Sequence, residues 1–192
     1  MFSPDRAAFQ KAADSGANLI PLAQSWPADL ETPLTTWIKV GAGRPPGVLL
    51  ESVEGGETLG RWSVIACDPL WTASARGDRL TRQWRDGTSD VHQGNPFDGL
   101  RQHLTPYRCA NLPGLPPLGQ LYGMWGYELI QWIEPTVPIH PQDDSSPPDG
   151  IWMLMDGILI FDQVKRLITA VAYGDLSGGC SVDTAWQSAL AR

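Results

Sequence analysis

Leu49 and Leu50 lead directly into Glu51 and Ser52, and Arg61 follows shortly after, so a carboxylate, a hydroxyl and a guanidinium surround one short turn. Gly55 and Gly56 lie between them and open the positive-φ conformations that a tight turn uses. A zwitterionic ligand needs a partner for its carboxylate, a partner for its ammonium and an apolar wall. Arg61 can pair the carboxylate, Ser52 or a strand carbonyl can accept from the ammonium, and Leu50 can line the wall. The same residues also suit a plain structural hairpin, with Arg61 salt-bridged to Glu51 or Glu57. Residue chemistry by itself leaves both readings open.

Elsewhere the chain offers little for catalysis. His92, His103 and His140 are isolated and lack metal-ligand spacing, with His103 in a helix and the other two in turns or loops. No HExxH, GxSxG or P-loop pattern occurs. Gly119, Gly123 and Gly126 do not fit the dinucleotide fingerprint and read as close packing of a strand on its neighbours. Asp143-Asp144 reads as a solvated pair, and Asp156 and Asp162 as turn or strand-edge residues. No catalytic residue, no metal site and no cofactor are expected within these residues.

Charge and composition narrow the partners. Lys and Arg number 14 against 21 Asp and Glu, a net −7, which disfavours a phosphate backbone as ligand, so nucleic acid is excluded. The most apolar stretch, 151–161, is interrupted by Asp156-Gly157 and is too short to span a bilayer, and no secretory signal is visible. Three widely spaced cysteines suit a reducing compartment. A cytoplasmic chain of one domain, residues 1–192, is the expectation.

The elements that must position Ser52 and Arg61 can be read from periodicity and punctuation. Ser3-Pro4-Asp5 opens a helix to about Ala13, and Thr32-Pro33 opens another with Leu34, Trp37 and Ile38 on its apolar face. Short strands are expected over 18–22, 47–53 and 61–67. A hairpin of 71–75 and 80–84 turns at Gly77-Asp78, with a further turn at Asp86-Gly87. Asn95-Pro96 caps a helix carrying Phe97, Leu100, His103 and Leu104. A strand over 119–125, a helical stretch over 127–133 and two long strands, 151–161 and 167–173, follow. Val182, Ala185, Trp186, Ala189 and Leu190 fall on one face of a final helix starting near Asp183. It reaches Arg192 with no Gly, Asn or Pro to close it, which points to a longer chain. The fold class is α+β, with antiparallel β-sheets and flanking helices.

Four blocks of sequence, in this order, resemble component I of anthranilate synthase. They are Asn18 to Leu22 with Thr32-Pro33-Leu34, Leu49 to Glu57 with Gly60 to Ile65, Gly119 to Glu128, and Pro148 to Asp162. The resemblance covers almost the whole chain but only the family's N-terminal region, part of an antiparallel β-sandwich. It implies an enzyme converting chorismate and an ammonia donor into anthranilate and pyruvate, with a glutamine amidotransferase as component II. The chorismate-binding domain, with its catalytic residues and Mg2+ carboxylates, would follow Arg192. What carries over is the feedback site for L-tryptophan: Ser52 of the Leu-Leu-Glu-Ser motif with Leu50 and Glu51, and, less securely aligned, Arg61. Two neighbours compete with this reading: component I of aminodeoxychorismate synthase, which shares fold and substrate, and a stand-alone amino-acid-sensing module. This portion taken alone is expected to expose apolar strand surface.

Overall fold

The computed structural model describes residues 2–41, 46–51, 60–114, 119–138 and 145–192. They form two compact units, one of residues 1–69, 106–119 and 155–192, the other of residues 70–105 and 120–154. Every paired strand runs antiparallel to its neighbours.

The first unit holds α1 (Arg6–Asp14), β1 (Leu19–Pro27), α2 (Pro33–Gly41), β2 (Gly47–Leu50), β3 (Trp62–Cys67), β9 (Gly157–Asp162), β10 (Leu167–Asp175) and α4 (Val182–Ala191). Its five-stranded sheet has the order β1-β10-β9-β3-β2. Side chains alternate between faces along each strand, so the register assigns Ile20, Leu22, Ile168, Leu159, Phe161, Ile65 and Leu49 to one face. The helices cover that face. Phe9 of α1 and Ala185 of α4 close over Ile20, and Phe9 meets Trp186 edge-on at 5.1 Å. At the other end of the sheet, Trp37 and Val40 of α2 pack on Ile65, Phe161 and Ile168. The opposite face carries Trp62, Val64, Ile160, Asp162, Thr169 and Ser25.

The second unit holds β4 (Trp71–Arg76), β5 (Arg79–Trp84), β6 (Ser89–Gln93), α3 (Pro96–Leu104), β7 (Leu121–Trp125), a 3-10 helix (Tyr127–Trp132) and β8 (Gly150–Leu154). Its sheet has the order β6-β5-β4-β8-β7. Trp71, Leu80, Trp152 and Leu154 are buried on one face, and Trp125 stacks on Phe97 of α3 at 4.4 Å. The other face is open along one cross-strand row, where Val91, Ile151 and Met124 are exposed. Apolar strand surface is therefore on show, in line with the sequence expectation. Gly77 supplies the β4–β5 turn at φ +53°, and buried Asp149 accepts from its N–H at 2.6 Å. Gly123 has no room for a side chain, since a Cβ there would strike the Ile151 carbonyl and the Trp152 ring. Close packing thus explains Gly123, whereas Gly119 stands in open space.

Several sequence expectations shift. Asp5, not Ser3, caps α1 by accepting from Ala8 N at 2.8 Å, while Ser3 forms a β-bridge with Ala23. The first strand runs to Pro27 because β10 pairs with all of it. On α2, Trp37 packs inward as expected, but Leu34 and Ile38 face outward and Thr36 is buried in their place. His92 lies within β6 rather than a loop, and residues 127–132 wind as a 3-10 helix. The apolar run 151–161 is two strands in two sheets, for the chain leaves β8 at Leu154 and enters β9 at Gly157. Asp156 forms that break, with its carboxylate accepting from Arg192 Nε at 3.0 Å. The final helix starts at Ser181, whose hydroxyl accepts from Thr184 N at 3.1 Å. His140, Asp143 and Asp144 lie outside the described residues.

Phe9 is fully buried where α1, α4 and β1 converge. Phe9→Ala is expected to cost about 3–5 kcal/mol, the usual range for emptying such a site, read as a lower urea midpoint.

Candidate functional site

Of the predicted site, the described residues Leu50, Glu51 and Arg61 lie toward one end of the first unit's sheet. β2 runs antiparallel to β3, pairing Leu50 with Val64, so its direction of travel is toward the end of β3 that holds Trp62. Leu50 is half exposed and shares a sheet face with Val64 and Trp62. Glu51 follows it, exposed. Ser52, with Glu54, Gly55, Gly56 and Glu57, lies outside the described residues.

Arg61 immediately precedes β3, and its carbonyl accepts from Gln163 N at 2.8 Å. Its guanidinium is committed to Asp162: Nε donates to Oδ1 at 3.0 Å and Nη2 to Oδ2 at 2.6 Å. The same group lies over the Trp62 ring at 4.4 Å. The partner expected for Arg61 in a simple hairpin was Glu51 or Glu57; Glu57 lies outside the described residues, and the described contact is to a strand from far down the chain. Such a two-bond fork fixes orientation as well as charge. Asp162 does more than pair. Its Oδ1 also accepts from Val164 N and Lys165 N, each at 3.1 Å, so it shapes the β9–β10 turn. Burial pushes its carboxyl pKa up, but hydrogen bonds from Arg61 and the turn amides, with the Arg61 charge, outweigh it and hold it below the ordinary value.

Two cavities flank this sheet. One, of about 290 Å3, lies on the Trp62–Asp162 face, bounded also by Ser25, Thr169, Lys165 and the turn at Leu112–Gly114. The other, of about 410 Å3, lies on the helix-covered face between α2 and α4 and is lined by apolar groups such as Leu22, Val40 and Leu190. Its one guanidinium, that of Arg192, is bound to Asp68 and Asp156 at 3.0 Å each. The larger cavity is thus mostly apolar, with its guanidinium already paired, and the smaller one is bounded by Trp62 and Asp162, the two side chains against Arg61.

The second unit holds a different polar cluster. Arg82 donates twice to Asp90, at 3.0 and 2.6 Å, and lies 4.6 Å from the centre of the Trp84 ring. Burial lowers the His103 pKa, Arg82 adds to that, and Asp90, 3.7 Å away, only partly offsets both. Burial also pushes the Tyr122 hydroxyl up to about 12. These groups join α3 to its sheet and lie on no cavity described above. Among the described residues no group of three or more His, Cys, Asp or Glu is placed to hold a metal ion. Nor, among them, is any helix long and apolar enough to cross a membrane.

Comparison with known proteins settles the family. Anthranilate synthase component 1 of Synechocystis sp. is 50% identical over 194 aligned residues, covering 100% of this chain and 38% of that protein. The chain belongs to the anthranilate synthase component I family. The protein of the same name from Cereibacter sphaeroides is 32% identical over 96% of the chain and 37% of its own length. The chain thus spans little more than a third of these relatives. Anthranilate synthase component I from Streptococcus pneumoniae shares the fold, with a TM-score of 0.51 at 23% identity, over 85% of this chain and 34% of that one. No family-level sequence profile matches.

The Leu-Leu-Glu-Ser motif was legible in sequence; that Asp162 and Trp62 hold the Arg61 guanidinium was not. Phe161-Asp162 closes an apolar run like any strand edge, and its partner Arg61 lies 101 positions away. Because Asp162 is depressed in the folded state, its contribution is complete above the unfolded value of about 3.9 and is lost as pH falls through the folded value. Asp162→Asn is expected to lower stability at neutral pH by about 1.5–3 kcal/mol, the range for a hydrogen bond to a charged group. It should also flatten the acid limb of a urea-midpoint profile below pH of about 4.

Proposed function

We propose that this chain is the tryptophan-sensing, N-terminal region of an anthranilate synthase component I. The full enzyme converts chorismate and ammonia, drawn from glutamine by an amidotransferase component II, into anthranilate and pyruvate in the cytoplasm. The observation that carries this reading is the 50% identity, over the entire chain, to a protein named anthranilate synthase component 1. Chorismate binding, the acid–base residues and the Mg2+ ligands are assigned to the remaining length of the relatives, and no step of the chemistry is routed through the residues described here.

Tryptophan is assigned to the Leu-Leu-Glu-Ser motif: Ser52 as its principal hydrogen-bonding partner, Leu50 and Glu51 beside it, and Arg61 as the charge on the next strand. The geometry supports Arg61 in a particular way. Its guanidinium is oriented before any ligand arrives, by Asp162 beneath and Trp62 alongside. A group already ordered loses little freedom on binding, which favours affinity.

Two measurements test the reading. In the full-length enzyme, Ser52→Ala is expected to raise the tryptophan concentration for half-inhibition about tenfold or more, since a lost bond to a charged ligand costs about 1.5–3 kcal/mol, with uninhibited turnover nearly unchanged. Inhibition equal to the parent overturns the Ser52 assignment. The 192-residue chain alone, given chorismate and ammonium, is expected to form no anthranilate by fluorescence assay; measurable turnover would mean that the active site lies within it.

A further inference from the structure

We propose that the joint between α3 and the second unit's sheet is a proton-operated latch: α3 stays seated while the His103 imidazole is neutral, and a proton on that ring unseats it.

The joint is tight. Gly99 of α3 lies so close to the sheet that a Cβ there would stand 2.7 Å from Leu80 Cδ2 and 2.8 Å from His92 Cδ2. Leu100 is buried, and Phe97 stacks on Trp125 at 4.4 Å. One turn on, His103 enters the same joint with 13% of its side chain exposed, its ring centre 6.2 Å from that of fully buried Trp71. Its Nε2 is shut off from solvent and has no hydrogen-bond partner among the described residues. A neutral ring can leave that nitrogen as a bare acceptor, whereas an imidazolium must place an N–H and a full charge there.

The charges around the ring oppose that proton. Strand register sets Arg82 opposite Asp90 and Leu80 opposite His92, all on the face that meets α3. β4 adds Trp71, Ala73 and Ala75 to that face. Arg82, Asp90 and His92 are thus the charged or titratable groups that these three strands turn toward α3. On α3 itself, Asp98 and Arg101 pair with each other at 2.7 Å on the exposed side. Asp90 is already committed, since Arg82 donates to its Oδ2 twice, at 3.0 and 2.6 Å. Its Oδ1 stands 3.7 Å from His103 Nε2, too far for a hydrogen bond. A protonated His103 would therefore share one carboxylate with a guanidinium, in a largely buried joint. The carbonyl end of α3 favours the proton, but no carbonyl bonds Nε2. Burial first, then Arg82 and His92, outweigh Asp90 and hold the imidazole below its ordinary range.

Free of the joint, a histidine titrates at about 6.5; seated, this one titrates lower. The seated state is therefore fully favoured above the free value, and it loses favour as pH falls from there through the seated value. The strands hold one another through their own ladders, so the loss falls on α3 and not on the sheet.

Backbone hydrogen exchange of the full 192-residue chain, corrected for the intrinsic rate at each pH, tests the latch. Amides of residues 100–104 are expected to open about fivefold or more readily near pH of about 5.5 than near about 7.5, on the scale of tenfold per unit of pKa, while β4 and β5 keep their protection. His103→Gln, neutral at both values, should open equally at each, and His92→Gln should respond as the parent does. Equal opening of α3 in the parent at both pH values overturns the latch. So does a His103→Gln chain that still responds, or exchange that rises as much in β4 and β5 as in α3. Should His103→Gln lose its folding transition, the ring-proton resonance of His103 in the parent decides: its midpoint must fall below about 6.5, and one at or above that value overturns the latch.

Discussion

The pairing of β3 with β9, clasped by Arg61 and Asp162, is the constraint on which the first unit depends. These strands lie at the middle of the five-stranded sheet but come from segments about half the chain apart. Closing so large a loop costs entropy, though the cost grows only slowly with length. What offsets it is the ladder itself, the burial of Ile65, Phe161 and Ile160 on the two faces, and a two-bond ion pair at its end. Register matters as much as energy. A slip of β9 by one residue would send Asp162 to the helix-covered face and Phe161 to the other, parting Asp162 from Trp62.

Asp162 shows how one buried carboxylate can be tolerated. An isolated charge at 6% exposure would be expensive. Here it accepts from a guanidinium on one side and from two amides of its own turn on the other, so charge and lone pairs are met together. That arrangement also orients the Arg61 guanidinium at the end of the sheet. In the second unit Arg82 and Asp90 repeat the theme, with indole rings beside the guanidinium. There the pair joins helix and sheet, with His103 of α3 3.7 Å from Asp90.

The two faces of the first unit's sheet divide the work. Helices α1, α2 and α4 bury one face through Phe9, Ala185, Trp37 and Val40, which accounts for much of the core. The other face mixes apolar strand residues with Asp162, Thr169 and Ser25, the composition expected of a surface that must hold something polar. Strand β2 serves both: Leu49 faces the helices, and Leu50 shares the other face with Val64 and Trp62.

Turns, caps and strand stretches were readable locally, because their causes lie within a few residues. Asn95 caps α3, Gly77 turns the β4–β5 hairpin, and the amphipathic stretch at 182–190 is a helix, each from neighbours in the chain. The α+β class and the Leu-Leu-Glu-Ser motif were legible for the same reason. Tertiary structure alone decided which strands share a sheet. Consecutive β3 and β4 part company, one apolar run divides at Asp156 between two sheets, and α2 leaves Leu34 and Ile38 facing out and buries Thr36. It also decided that Arg61 pairs with Asp162. Nothing near Arg61 in sequence points to a carboxylate 101 positions away. Long-range strand pairing sets that contact, and pairing depends on the summed burial of whole faces, a quantity no local window contains.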